Sequence, residues 1–174
     1  DIKNASNVHA NWLEPHGVKG DVVHAANVTY FVRDIGAFIE QLVSAARRRV
    51  ILSMYSPPNP MHNAKLFKMV YAEDQAVVPS HTQLLPVLWK MNILPDVRFL
   101  PQGTSFDGVQ QAPTFPETKE DAVEMALAGI WLASHHRDRG GAIVRRQFDS
   151  LFEESAGGFM PLWLPEARQV LITW

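Results

Sequence analysis

His62 and His81 bracket a run of apolar residues and are the side chains best suited here to take a proton near neutral pH. A loop histidine is also an ordinary surface residue, and that reading stands beside the first. His135 and His136, followed by Arg137 and Arg139, could suggest a metal or phosphate patch. No third ligand follows at metal-site spacing, so a solvated helix end is the better reading. His24 lies between apolar neighbours in a strand-like stretch and reads as a hydrogen-bonded core residue. With no cysteine anywhere, disulfides and thiolate metal sites are excluded, and a reducing compartment suits the chain. The sequence has no GxSxG elbow for a nucleophilic serine, no GxxxxGK[S/T] phosphate loop and no dinucleotide fingerprint.

The bulk properties narrow the field further. Hydrophobic residues make up 47% of the 174 and charged residues 20%, a mix that can bury one domain's core. A net charge of −2 supplies no basic field for nucleic acid. The longest apolar runs fall well short of the roughly 20 residues that span a bilayer. The expectation is a cytoplasmic protein with no membrane or nucleic-acid partner. The sequence starts at Asp1 rather than Met and opens with no signal peptide, which reads as a truncated or processed product.

The elements that must position these side chains alternate. Residues 7–12 read as a short strand and 21–27 as a second, with Val22 and Val23 adjacent as in a strand covered on both faces. Asp34 can cap a helix over 35–47, where Ile35, Phe38, Ile39, Leu42 and Ala46 recur at helical spacing. Arg47, Arg48 and Arg49 would meet the negative end of its dipole. A strand over 49–54 completes a right-handed strand–helix–strand crossover. The prolines at 57, 58 and 60 break the chain. Helices fit 61–72 and the segment opened by the Ser80–Gln83 capping box, with Pro86 in its first turns. A strand fits 96–100, and a loop 101–116. Thr118 caps a helix carrying Val123, Ala126, Leu127, Ile130 and Trp131. Residues 135–141 read as a polar hinge. Val144, Phe148, Leu151 and Phe152 form a further helix ended by Gly157 and Gly158, and 168–174 is a terminal strand. The class is α/β.

In this order the segments resemble the second half of a class I, Rossmann-like S-adenosylmethionine-dependent methyltransferase. The stretches that carry the likeness are Asn11-Trp12-Leu13-Glu14, the run from Asp21-Val22-Val23-His24-Ala25-Ala26-Asn27 through Tyr30 to Asp34, Arg48-Arg49-Val50-Ile51, and the closing segment from Pro161 to Trp174. The likeness implies a partial, mostly parallel sheet with helices on both faces and an antiparallel last strand between those at 49–54 and 96–100. It implies a single domain, the C-terminal portion of the family's domain, with a helical acceptor-side insertion at about 57–95. The family's glycine-rich turn, where only glycine lets the backbone approach the cofactor, is absent from the sequence, as is its second strand with the ribose-binding acid. The isolated chain is therefore expected to be inactive, and 7–12 cannot join the sheet beside 21–27 directly.

The implied activity is methyl transfer from S-adenosylmethionine to a small-molecule acceptor, in a longer chain. Asn11 and Trp12 would lie beside the adenine. Ala25, Ala26 and Asn27 end a strand where an open α/β sheet offers its ligand crevice, and Tyr30 would lie just past it, facing the methyl. Tyr55 ends the next strand on the same rim. His62 and His81 flank the inserted helix on the acceptor side, and either could be a general base. Each residue also has a plain packing reading. The rival function is a non-catalytic interaction or dimerisation module, pairing with another copy or chain through the open edge of 21–27.

Overall fold

The structure is a computed structural model that describes residues 4–14, 17–101, 114–130 and 132–174. Pro15, Trp131 and most of the loop expected at 101–116 (residues 102–113) lie outside the described residues. The fold is mixed α/β. Its elements are β1 (Gly20–Ala26), α1 (Ile35–Ala45), β2 (Ala46–Ser56), α2 (Ala64–Tyr71), α3 (His81–Lys90), β3 (Asp96–Phe99), α4 (Lys119–Gly129), α5 (Arg137–Arg146), α6 (Phe148–Leu151), β4 (Phe152–Ser155), β5 (Gly158–Pro161) and β6 (Arg168–Thr173).

Four strands form one sheet in the order β1-β2-β6-β3. β1 and β2 are parallel, with Val23 opposite Val50 and Ala26 opposite Ser53. Val50 and Trp174 exchange both backbone bonds, at 3.0 and 3.3 Å. Such a reciprocal pair occurs only between antiparallel strands, so β6 runs against β2. On its other side the Leu100 amide donates to the Gln169 carbonyl at 2.8 Å. The terminal strand is thus inserted between β2 and β3, as expected.

The chain divides into two compact units. The first comprises residues 1–54, 81–98 and 170–174. Its core is built by α1 (Ile39, Leu42), β2 (Val50, Leu52, Met54), α3 (Leu84, Leu88) and β6 (Val170, Ile172), all buried. The Asp34 carboxylate accepts from the Ala37 amide at 3.0 Å and so starts α1 as an N-cap. The second unit comprises residues 55–80 and 99–169. Leu66 and Val70 of α2 pack there with Val123 and Leu127 of α4, Val144 of α5, and the aromatic group Phe148, Phe152, Phe159 and Trp163. Thr118 caps α4 by accepting from the Asp121 amide at 3.1 Å.

Four expectations need correction. Residues 7–12 form no strand. The Asn11 side-chain oxygen accepts from the Leu13 amide and its backbone oxygen from the Glu14 amide, which makes a polar turn instead. Helix α1 ends at Ala45, and Arg47, Arg48 and Arg49 belong to β2, because Ala46 is already extended at φ −84°, ψ 130°. The supposed hinge at 135–141 is a short 3-10 turn running into α5. Phe152 does not continue a helix but begins a β4–β5 hairpin, with Ser155 opposite Gly158. Gly158 has φ +112°, and a Cβ there would stand 2.4 Å from the Pro116 carbonyl oxygen, so the hairpin depends on glycine at that point.

Candidate functional site

The C-terminal end of β1 carries most of the residues singled out in the sequence. Ala25 and Ala26 are half-buried and stand opposite Leu52 and Ser53 of β2. Asn27 then turns the chain in the left-handed region, at φ 55°, which asparagine tolerates better than most residues. Its amide donates to the Ser53 carbonyl at 2.8 Å, and its side-chain oxygen accepts from the Tyr30 hydroxyl at 3.0 Å. Tyr30 is buried, in a 3-10 turn over Thr29–Phe31, and its ring meets Phe31 edge-on. Its phenol therefore braces the turn that follows the strand. His24 is exposed rather than in the core, with Nε2 2.9 Å from the hydroxyl of the buried Ser53.

Asn11 and Trp12 are brought to the loop after that turn. Together with Leu13, Phe31, Val32, Arg33, Asp34 and Phe38 they line an open cleft of about 730 Å³ in the first unit. The Trp12 and Phe38 rings are 6.4 Å apart and tilted by 55°. The Asn11 amide is engaged locally, donating to the Glu14 carboxylate at 2.8 Å. Ala25, Ala26, Asn27 and Tyr30 do not line this cleft. Sequence reasoning missed Phe31 and Arg33 as its opposite wall. The usable signal was an aromatic residue at a strand-end turn, and Phe31 is 66% exposed.

The three residues proposed for catalysis are not gathered in one unit. Tyr30 and His81 belong to the first and His62 to the second. His81 opens α3, and burial pulls its imidazole below the ordinary value of 6.5, which keeps the ring neutral over more of the physiological range. His62 is held by the Pro57 carbonyl, 2.9 Å from Nε2. A carbonyl only accepts, so Nε2 is the protonated nitrogen and Nδ1 carries the lone pair of the neutral ring. The same ring meets Tyr55 edge-on, with centroids 5.9 Å apart. Tyr55 in turn accepts a hydrogen bond from the buried Gln169 side chain at 3.2 Å.

The remaining histidines and cations give no comparable arrangement. The His135 and His136 rings are 4.0 Å apart, and among the described residues no group of three histidine, cysteine or carboxylate side chains could hold a metal. A second open cleft, of about 590 Å³ in the second unit, includes Lys119, Arg145 and Phe148. Three of its charged side chains are engaged within it: Arg145 pairs with Glu120 at 3.3 Å, and Lys119 lies over the Phe148 ring. Among the described residues no helix is long and apolar enough to cross a membrane. No family model matches the chain, and no curated protein matches it.

Proposed function

We propose that the chain contributes to S-adenosylmethionine-dependent methyl transfer onto a small-molecule acceptor, as part of a longer protein with a Rossmann-like methyltransferase domain. The observation that carries this reading is the strand order β1-β2-β6-β3 with β6 antiparallel to β2. A last strand that runs against β2 and inserts between it and β3 is the topology the sequence likeness implied.

The residues present fit one end of the cofactor. Trp12, Phe38 and the exposed Phe31 give the cleft apolar walls suited to a flat heterocycle, and Asn11 stands at its rim. Nothing in these 174 residues supplies the glycine-rich turn. β1 is paired on one side only among the described residues, which leaves an edge on which further strands would be added. When bound, the sulfonium would supply an activated methyl group. The work of this chain is to wall the base, to shape the crevice with Ala25 and Ala26, and to present a base to the acceptor. His81, which belongs to the same unit as the cleft and whose imidazole burial holds below its ordinary value, is the group suited to the last task.

Calorimetric titration of S-adenosylmethionine tests this reading. The longer protein binds it, and the 174-residue chain binds it weakly or not at all. Absence of binding by the longer protein overturns the proposal.

The open edge favours a second reading. Val22, on β1, is 53% exposed, and an unpaired apolar edge strand recruits another strand. On that reading the chain is an interaction module. Light scattering should then show self-association that Val22→Lys abolishes, and a monomer at all concentrations sinks it.

A further inference from the structure

We propose that the cleft lined by Trp12, Phe31, Arg33 and Phe38 is a binding site for a flat aromatic carboxylate, held by its rings against the aromatic walls and by its charge on the Arg33 guanidinium. The site itself does not depend on the function proposed above; only its competition with the cofactor's base rests on that reading.

The argument begins with Phe31. Its neighbour in the turn, Tyr30, is buried, whereas Phe31 is 66% exposed. The two rings meet edge-on, at 5.9 Å and 87°, which orients the Phe31 ring while most of its surface stays open to water. An aromatic face held in this way is surface that a flat ligand can cover. Trp12 and Phe38 line the same space with rings tilted by 55°, so the cleft presents aromatic surface from both the 11–13 turn and α1. Its volume of about 730 Å³ is ample for a molecule of two fused rings.

Charge then selects among flat molecules. Arg33 and Asp34 are the charged residues of the lining. Asp34 is committed to the start of α1, where its carboxylate accepts from the Ala37 amide. The Asn11 amide is committed to Glu14. Arg33 is exposed, and among the described residues no ion pair includes it. The cleft therefore offers a guanidinium beside aromatic faces. A guanidinium is planar and pairs with a carboxylate through two parallel hydrogen bonds. The Asp34 carboxylate next to it opposes a second negative charge, so a monoanion suits the site better than a phosphate dianion. An aromatic acid and the adenine of S-adenosylmethionine would need the same walls, and each excludes the other.

Calorimetric titration of the 174-residue protein tests the site with naphthoate as the probe. Naphthamide, cyclohexanecarboxylate and naphthyl phosphate are the controls. We expect saturable naphthoate binding in the millimolar range or tighter. Naphthamide keeps the rings without the charge, and cyclohexanecarboxylate keeps the charge without the rings. Each should bind about tenfold more weakly, the scale of one lost ion-paired hydrogen bond or one aromatic contact. Naphthyl phosphate should bind no better than naphthoate. Arg33→Gln and Phe31→Ala both alter exposed side chains, so the fold should survive them. Each should weaken naphthoate about tenfold. Arg33→Gln should also erase both the salt dependence of binding and the gap between naphthoate and naphthamide, which a mere change of shape would not do. Absence of naphthoate binding at tens of millimolar, equal binding of naphthamide, stronger binding of the phosphate, or unchanged affinity in either variant would each overturn the proposal. Titration of S-adenosylmethionine into the longer protein, with and without saturating naphthoate, reads the other claim separately. Naphthoate binding without cofactor binding leaves the acid site standing and removes methyl transfer. Cofactor binding that naphthoate does not weaken overturns the shared use of the cleft.

Discussion

Trp163 donates its indole N–H to the Asn63 side-chain oxygen at 2.8 Å. Asn63 passes the interaction on, since its amide nitrogen donates to the Gly129 carbonyl at 3.0 Å. One side chain thereby ties the start of α2 to the end of α4 and to the segment after β5. Gly129 is required for the approach, because a Cβ there would stand 2.8 Å from the Asn63 amide.

Replacing Asn63 tests how much this knot holds. Asn63→Ala leaves the indole N–H of the buried Trp163 and the Gly129 carbonyl without their partner. Two such losses should cost about 3 kcal/mol, measured by urea unfolding. A cost below about 0.5 kcal/mol, the scale of a neutral surface change, would show that water replaces both bonds.

The two glycines of the hairpin should behave differently. Gly158→Ala forces a side chain into positive φ and against the Pro116 oxygen, whereas a Cβ on Gly157 meets nothing closer than Phe115 at 4.0 Å. The first should cost about 3 kcal/mol or more and the second about 1 kcal/mol or less in the same unfolding assay. Equal costs would mean that the Pro116 contact relaxes freely.

Stability should fall on the acid side through His81. Its folded value lies below the unfolded 6.5, so the unfolded chain binds the proton more readily. The contribution is fully present above pH 6.5 and is lost as pH falls through the folded value. His81→Gln should flatten that part of the profile when thermal midpoints are compared from pH 7.5 downward. A slope identical to that of the parent protein would remove His81 from the acid response.

Crevice shape offers a direct test of cofactor binding in the longer protein. Ala26, opposite Ser53 at the end of β1, has room only for a small side chain if a ligand lies over it. Ala26→Leu should weaken S-adenosylmethionine binding by a few kcal/mol, on the order of overpacking a core. His135→Ala, beside α5, should leave calorimetric affinity unchanged. Unaltered affinity in a folded Ala26→Leu protein would detach the crevice from the function.

Much of the framework could be read from the sequence because its signals are local. Asp34 and Thr118 cap α1 and α4, and the apolar periods of those helices and the compact runs of β1, β2 and β6 need no distant partner to be recognised. The hairpin was hidden for the opposite reason. Phe148, Leu151 and Phe152 fit a helical period, and Phe148 and Phe152 do stack, at 4.7 Å, but across a helix–strand junction. What decides the strand is the Phe159 amide bonding to the Pro116 carbonyl, a contact far apart in sequence. In the candidate site, the family likeness grouped Asn11 and Trp12 with Ala25, Ala26 and Tyr30, whereas the cleft they line is completed by residues 31–34, which no local spacing signals. The burial of Tyr30 against Asn27 followed from neither, since a tyrosine after a strand carries no mark of whether its phenol is spent within the turn.

The placement of β6 also sets a timetable for biosynthesis. β2 and β3 become neighbours in the sheet only through the strand that follows every other described strand in the sequence. During translation β1 and β2 can pair as soon as both are out of the ribosome, while the inner edge of β2 and the whole of β3 wait for it. A nascent chain stalled in between presents an open apolar strand edge in the middle of its future sheet, the kind of surface that chaperones hold and that misassembles when they do not. Ribosome-bound chains arrested before Arg168 should therefore be far more protease-sensitive at Val50–Met54 than the released protein.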